Sequence, residues 1–282
     1  MGQMPLKAII GFVGIMASIG ICQRTWAQDA RTVLAKTLRT YQGMTSYEGK
    51  TSIDVDIITP NGSRQALNAQ SSVMLFKRPN KIVLKMSSSK ANIEIYGDGK
   101  TLTVFNANAR RYYSMPSPSD MAGVLILLHD RVMIDAILDP LFFLSSPTLP
   151  SSLGSIKMGG NATANGHEVF TVNGVWEINP LSSALRINQF CTKGTRWTLF
   201  IDKANAQLQK VEARVPAKIN VRVKRQGKTE AMPMTVTMLM KHIVIEATPN
   251  AAITESAFTF KAPKDVIEQK DVKQLIEGSA GH

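Results

Sequence analysis

Four histidines and two cysteines carry the most versatile chemistry in this 282-residue chain. They are His129, His167, His242 and His282, with Cys22 and Cys191. A structural zinc site draws four such ligands together, in pairs a few residues apart. No two histidines have that spacing, and Cys191 stands alone. His129-Asp130 looks like a fragment of a metal or phosphohydrolase site, but it lacks a partner histidine and lies in an apolar helical pattern. A serine nucleophile on a strand-to-helix elbow would carry G-x-S-x-G, which does not occur. Gly97-Asp98-Gly99 would need a following helix to cradle phosphate, and a strand pattern follows instead. His242, between Met240 and Val244, is expected to be a core or surface histidine. The expectation is a protein without catalytic residues, metal or cofactor, which turns attention to binding.

Two patterns could bind. The first is the apolar run after Pro116 and Pro118, from Val124 to Leu144. A core helix normally confines its apolar residues to one stripe. Leu125, Ile126, Leu127 and Leu128 are consecutive and therefore surround the axis. Asp130, Arg131, Asp135 and Asp139 interrupt any membrane span, and Pro140 divides the run into two helices. The second pattern is "KINVRVKRQGK", where Ile219, Val221 and Val223 alternate with Lys218, Asn220, Arg222 and Lys224. With Arg225 and Lys228 these cations form a candidate contact for an anionic surface. A solvated strand face is the plainer reading of the same alternation.

The elements around these patterns are legible. Met1 to Lys7, the apolar stretch Ala8–Ile21 and "TWA" at 25–27 have the form of a secretory leader, with cleavage expected after Ala27. The alternatives are an uncleaved anchor and a lipoprotein modified at Cys22. Removing the leader takes Lys7 and Arg24, so the formal net charge of +12 falls to +10. It also takes Cys22, leaving Cys191 without an intramolecular disulfide partner. A basic exported protein tends to meet anionic lipids or polymers, and nucleic acid is not an expected partner. Val33, Leu34, Thr37, Leu38 and Tyr41 have helical spacing up to Gly43. The period then changes to two, and turn residues at Pro60-Asn61-Gly62, Arg78-Pro79-Asn80 and Gly97-Asp98-Gly99 separate short strands. Strands resume near Ser155, in "KMGGNATANGHEVFTV", "LRINQF", "RWTLFID" and "LQKVEARV". The order predicts one sheet interrupted by a helical insertion: a single domain over 28–266, a helical segment at about 119–146 and a tail at 267–282.

The order of several weak motifs resembles the LolA-like superfamily of periplasmic lipoprotein carriers and their relatives. They are Tyr41, Met44, Ser46 and Tyr47, then Arg78-Pro79 and the hairpin from Tyr96 to Tyr113. Met115 to Pro118, Asp139-Pro140, Trp197 to Asp202 and the closing "SAFTFKAPKDV" follow. The nearest resemblance is to a subgroup of predicted periplasmic proteins. The resemblance implies an α+β fold: a strongly curved, incompletely closed antiparallel half-barrel with helices plugging its concave face. It implies a space there for acyl chains, or a sensing or scaffolding surface for a protein partner. Combined with the apolar density, it nominates Val55, Met74, Phe76 and Leu84 on the sheet as the lining of a hydrophobic cavity. From the helical segment it nominates Leu125, Leu128, Met133, Ile137, Leu141 and Phe142. The expected ligand is a lipid, lipoprotein or other acyl-bearing molecule, with an anionic membrane or a membrane-bound protein as a further partner.

Overall fold

The computed structural model describes residues 30–88, 92–132, 140–145, 153–176, 194–225, 228–272 and 275. The expected leader 1–27, Cys191 and the predicted strand at 185–190 lie outside these residues. Helix α1 (30–42) opens the fold and ends at Gly43, whose N–H donates to the Arg39 carbonyl at 3.0 Å. Six strands follow: β1 (Ser46–Ile58), β2 (Arg64–Lys77), β3 (Lys81–Ser88), β4 (Asn92–Gly97), β5 (Thr101–Asn106) and β6 (Arg111–Pro116). Helices α2 (Met121–Val132) and α3 (Pro140–Ser145) come next. Five more strands are β7 (Leu153–Ala164), β8 (His167–Trp176), β9 (Arg196–Asp202), β10 (Leu208–Arg225) and β11 (Lys228–Pro249). A 3-10 turn (Glu255–Phe258) and the short β12 (Ile267–Glu268) complete the described elements.

All twelve strands form one sheet, in the order β12-β6-β5-β4-β3-β2-β1-β11-β10-β9-β8-β7. It is an antiparallel meander throughout, except that β12 runs parallel to β6. β12 and β7 are its two ends and do not pair, so the sheet is curved but unclosed. Register shifts interrupt β1/β11, β1/β2, β9/β10 and, twice, β7/β8. Each such bulge adds a residue to one strand and increases local bend and twist.

The topology dictates where the helices go. β6 lies next to one end of the sheet and β7 is the other end. The chain between them must cross the sheet's width, and it carries α2 and α3 as it crosses. Alternation chooses the face. Two rungs run across β1 to β6 by direct pairing: Tyr47, Phe76, Ile82, Gly97, Leu102 and Met115, then Gly49, Met74, Leu84, Ile95, Val104 and Tyr113. On the other half of the sheet, Trp197, Leu199 and Ile201 of β9 and Val211, Ala213 and Val215 of β10 face the same way. These side chains join Leu34, Leu38 and Tyr41 of α1, Val124 and Leu128 of α2, and Leu141, Phe143 and Leu144 of α3 in one apolar core.

Small residues allow the tightest contacts. Gly174 pairs with Trp197, and a Cβ on Gly174 would lie 2.0 Å from the indole ring. Beyond the 3-10 turn, the chain returns along the outer face of β4–β6. Phe260 packs there against Tyr96, Phe105 and Tyr112, with ring centroids 5.1–5.6 Å apart. Lys77 and Lys81 both donate to the Glu255 carboxylate and hold its pKa down to about 2. Leu275, from the expected tail, is buried in the core, and the Asn106 amide donates to its carbonyl at 3.0 Å.

Candidate functional site

The junction from β6 into α2 is built by two side chains. Asp120 caps α2: its Oδ1 accepts the Gly123 N–H at 2.8 Å, satisfying one of the donors that every helix start leaves unpaired. Asn80 is buried, and its amide donates to the Pro118 carbonyl at 2.6 Å and to the Gly99 carbonyl at 2.9 Å. It thereby ties the β2–β3 turn, the β4–β5 turn and the entry to α2 together. Gly123 lets the helix approach Pro118, whose Cβ would be 2.8 Å from a Cβ at position 123.

Along α2, Met121, Val124 and Leu128 are buried, Leu125 and Leu127 are partly buried, and Ile126 is 39% exposed. The consecutive apolar residues therefore do surround the helix, and one of them meets solvent. In α3, Phe143 is fully buried, stacked on Tyr41 at 5.6 Å and edge-on to Phe142 at 5.5 Å. The nominated Val55, Met74, Phe76, Leu84, Leu128 and Leu141 are all buried in the shared core, and Leu125 and Phe142 are partly buried against it. Eight of the ten nominated residues thus meet in one cluster. Met133 and Ile137 lie outside the described residues. The basic set falls on the β10–β11 hairpin: Lys218, Arg222, Lys224 and Arg225 on β10 and Lys228 on β11. Their side chains lie outside what is described. β9 leaves β10 at Arg214 and β1 leaves β11 at Thr237, so among the described residues the hairpin beyond them pairs only with itself.

The family model described as "Predicted periplasmic protein (DUF2092)" matches residues 30–268. The chain belongs to that family. This DUF2092 protein is periplasmic, as the family's description states. No curated protein matches its sequence. Among solved structures it is similar to the lipoprotein LppX of Mycobacterium tuberculosis, at 11% identity over 80% of this chain and 98% of that one, with a TM-score of 0.43. It is similar to the LolA superfamily protein NE2245 of Nitrosomonas europaea, at 11% identity over 82% and 97%, with a TM-score of 0.30. It is also similar to MucB of the Pseudomonas aeruginosa MucA/MucB complex, at 12% identity over 83% and 62%, with a TM-score of 0.37.

Arg78 has a part that its motif did not disclose. Its Nε donates to the Met44 carbonyl at 2.8 Å, and one terminal nitrogen reaches the carbonyls of Tyr41 at 3.3 Å and Leu144 at 3.2 Å. Its guanidinium lies 5.4 Å from the centre of the Phe76 ring. One cation thus joins the end of α1, the end of α3 and β2. Charge at the C-terminal end of a helix opposes the negative end of its dipole. The sequence signalled Arg78-Pro79 as a turn, and nothing local shows which carbonyls the guanidinium meets.

Among the described residues, the histidines do not converge. His167 pairs with Asp202 at 2.8 Å. His242 is 4% exposed within the sheet, between Ile53 and Val211, and burial lowers its pKa to about 4. Among the described residues, no three histidine, cysteine, aspartate or glutamate side chains gather into a metal-sized group. The side chain of His129 lies outside the described residues.

Proposed function

We propose that this periplasmic protein binds and carries a lipid or another acyl-bearing molecule between the core face of its sheet and helices α2 and α3. In this reading the curved sheet is a half-barrel, the helices plug its concave face, and the segment from about 119 to 146 is a lid. The observation that carries it is α2 itself. A helix that buries Val124 and Leu128, half-covers Leu125 and Leu127 and still exposes Ile126 has more apolar surface than one packed face requires. An acyl chain sliding under it would be covered by side chains that already exclude water. Burial is worth ~0.8 kcal/mol per methylene, so a chain of about 14 carbons has a strong reason to enter. The wall is formed by Val55, Met74, Phe76, Leu84, Leu125, Leu128, Leu141 and Phe142, with Met133 and Ile137 from the same segment. Arg78 holds the lid's far end through the Leu144 carbonyl. No catalytic step belongs to this function. Lys218, Arg222, Lys224, Arg225 and Lys228 place a basic ribbon where an anionic membrane surface could be met. Such an attraction is screened by salt over about 8 Å at physiological ionic strength.

The exposed Ile126 favours a second reading, in which the same apolar helix docks a protein partner and the molecule acts as sensor or scaffold. Uptake of a fluorescent fatty acid separates the two. Saturable uptake, altered by Phe142→Ala, supports the carrier. No saturable uptake, together with a stable heteromeric complex sensitive to Ile126→Asp, supports the partner surface.

A further inference from the structure

The face of the sheet away from the helices carries a second site. Trp197, Leu199 and Ile201 of β9 enter the core, so Arg196 and Thr198, which alternate with them, face outward. Direct pairing sets Val175, Arg196 and Arg214 side by side on one outer rung. Lys157, Asn173, Thr198 and Glu212 occupy the next. These two rungs line a cavity of about 810 Å³, with Val175 as its outward-facing apolar side chain. That is the scale of a small-molecule cleft, commonly about 300–1,000 Å³.

The charge in this cavity is one-sided. Glu212 is the one carboxylate lining it, and it is already held by Lys210 at 2.6 Å, outside the lining. Among the described residues, Lys157, Arg196 and Arg214 have no carboxylate in salt-bridge reach. Arg196 and Arg214 are direct cross-strand partners. Paired residues sit about 4.5–5.5 Å apart at Cα, where like charges destabilise a sheet. A multiply charged anion between them would remove that repulsion. Thr198 donates to the Asn173 Oδ1 at 2.7 Å, which fixes the amide and leaves its Nδ2 as a further donor. Two guanidinium forks, an ammonium and an amide form a set rich in donors. Guanidinium forks match phosphate oxygens two at a time. Val175 on the same rung gives an organic body behind the phosphate an apolar contact.

We infer that this outer cavity, with Arg196, Arg214, Lys157 and Asn173 as donors, binds a phosphate ester. The ester can belong to a lipid head group or to a free phosphorylated molecule. The site is on the opposite face from the helices and stands independently of acyl-chain carriage.

Two arms of one experiment test it. Calorimetry with glycerol 3-phosphate at low salt should show one saturable site on the wild type. The charge-neutral pair Arg196→Gln/Arg214→Gln should weaken it at least tenfold, with unchanged thermal melting and unchanged fatty-acid uptake. Single variants should fall between. Cosedimentation with phosphatidylglycerol vesicles, against phosphatidylcholine vesicles, identifies the source. Vesicle binding that the double variant weakens and glycerol 3-phosphate competes away assigns the site to lipid head groups. Vesicle binding that the variant leaves unchanged, alongside lost glycerol 3-phosphate binding, assigns it to free phosphate esters. No glycerol 3-phosphate binding, or equal binding by the folded double variant, overturns the inference.

Discussion

His242 gives the protein a pH dependence that can be worked from its burial. An unfolded chain takes up the histidine proton near pH 6.5, whereas in the folded protein burial delays this to about pH 4. Between those values the unfolded state binds the proton and the folded state does not, so acid favours unfolding. The stabilisation is complete above about pH 6.5 and is lost as pH falls through the window to about 4. A difference of about 2.5 pKa units corresponds to about 3 kcal/mol of lost stability. Carboxylates also titrate at the lower end, so the comparison must be made between wild type and His242→Leu, a side chain of similar volume without a proton to bind. Urea unfolding at pH 7, 6, 5 and 4 should show wild-type stability declining relative to the variant by about 3 kcal/mol. A difference between the two proteins that stays constant from pH 7 to pH 4 would refute the buried neutral imidazole.

Other perturbations follow from the same geometry. Arg78→Gln removes one good and two long hydrogen bonds to helix-end carbonyls; with discount for the exposed position, urea unfolding should show a loss of about 1–3 kcal/mol. Amide exchange should also rise in α3, and unchanged exchange there would deny its role as a tie. Gly174→Ala drives a methyl into a buried indole ring and should cost about 1–3 kcal/mol, read from thermal melting. Asp120→Ala should cost about 1 kcal/mol through the lost cap of α2, measured by urea unfolding, while Asp120→Asn should restore most of it. Leu128→Ala separates a tightly packed core from a cavity wall. A dry, filled core predicts a loss of about 2–5 kcal/mol, whereas the lid predicts a smaller loss with altered fatty-acid uptake.

Much of the fold was legible because alternation and turn chemistry are local. The β3–β4–β5 run followed from "KIVLKM", "NIEIYG" and Gly97-Asp98-Gly99, and β7 and β8 from "KMGGNATANGHEVFTV", whose Asn165 and Gly166 have positive φ angles of 53° and 79° that suit a tight hairpin turn. The start of β2 was not legible. Arg64-Gln65-Ala66 has no apolar alternation, and it becomes strand because β1 pairs with it through Ile58, Ile57 and Asp56. The joining of the two meanders through β1 and β11 was also hidden, since Tyr47 and Pro249 are distant in sequence. For the candidate site, apolar density joined to the family resemblance nominated Leu128, Leu141, Phe76 and Met74, which lie together in the core. It missed Arg78 and the pair Arg196 and Arg214. A guanidinium's partners are set by pairing and helix placement, and neither leaves a mark on the residues beside it.

In the proposed function an acyl-bearing molecule occupies the interface between helices and sheet. Its most direct test is mass spectrometry of an organic extract from protein purified out of the periplasm without detergent. An acyl-chain species at near-stoichiometric yield is expected, reduced in a Leu128→Ala or Phe142→Ala protein that remains folded. A wild-type extract free of lipid, from protein that also shows no saturable uptake of a fluorescent fatty acid, would contradict it.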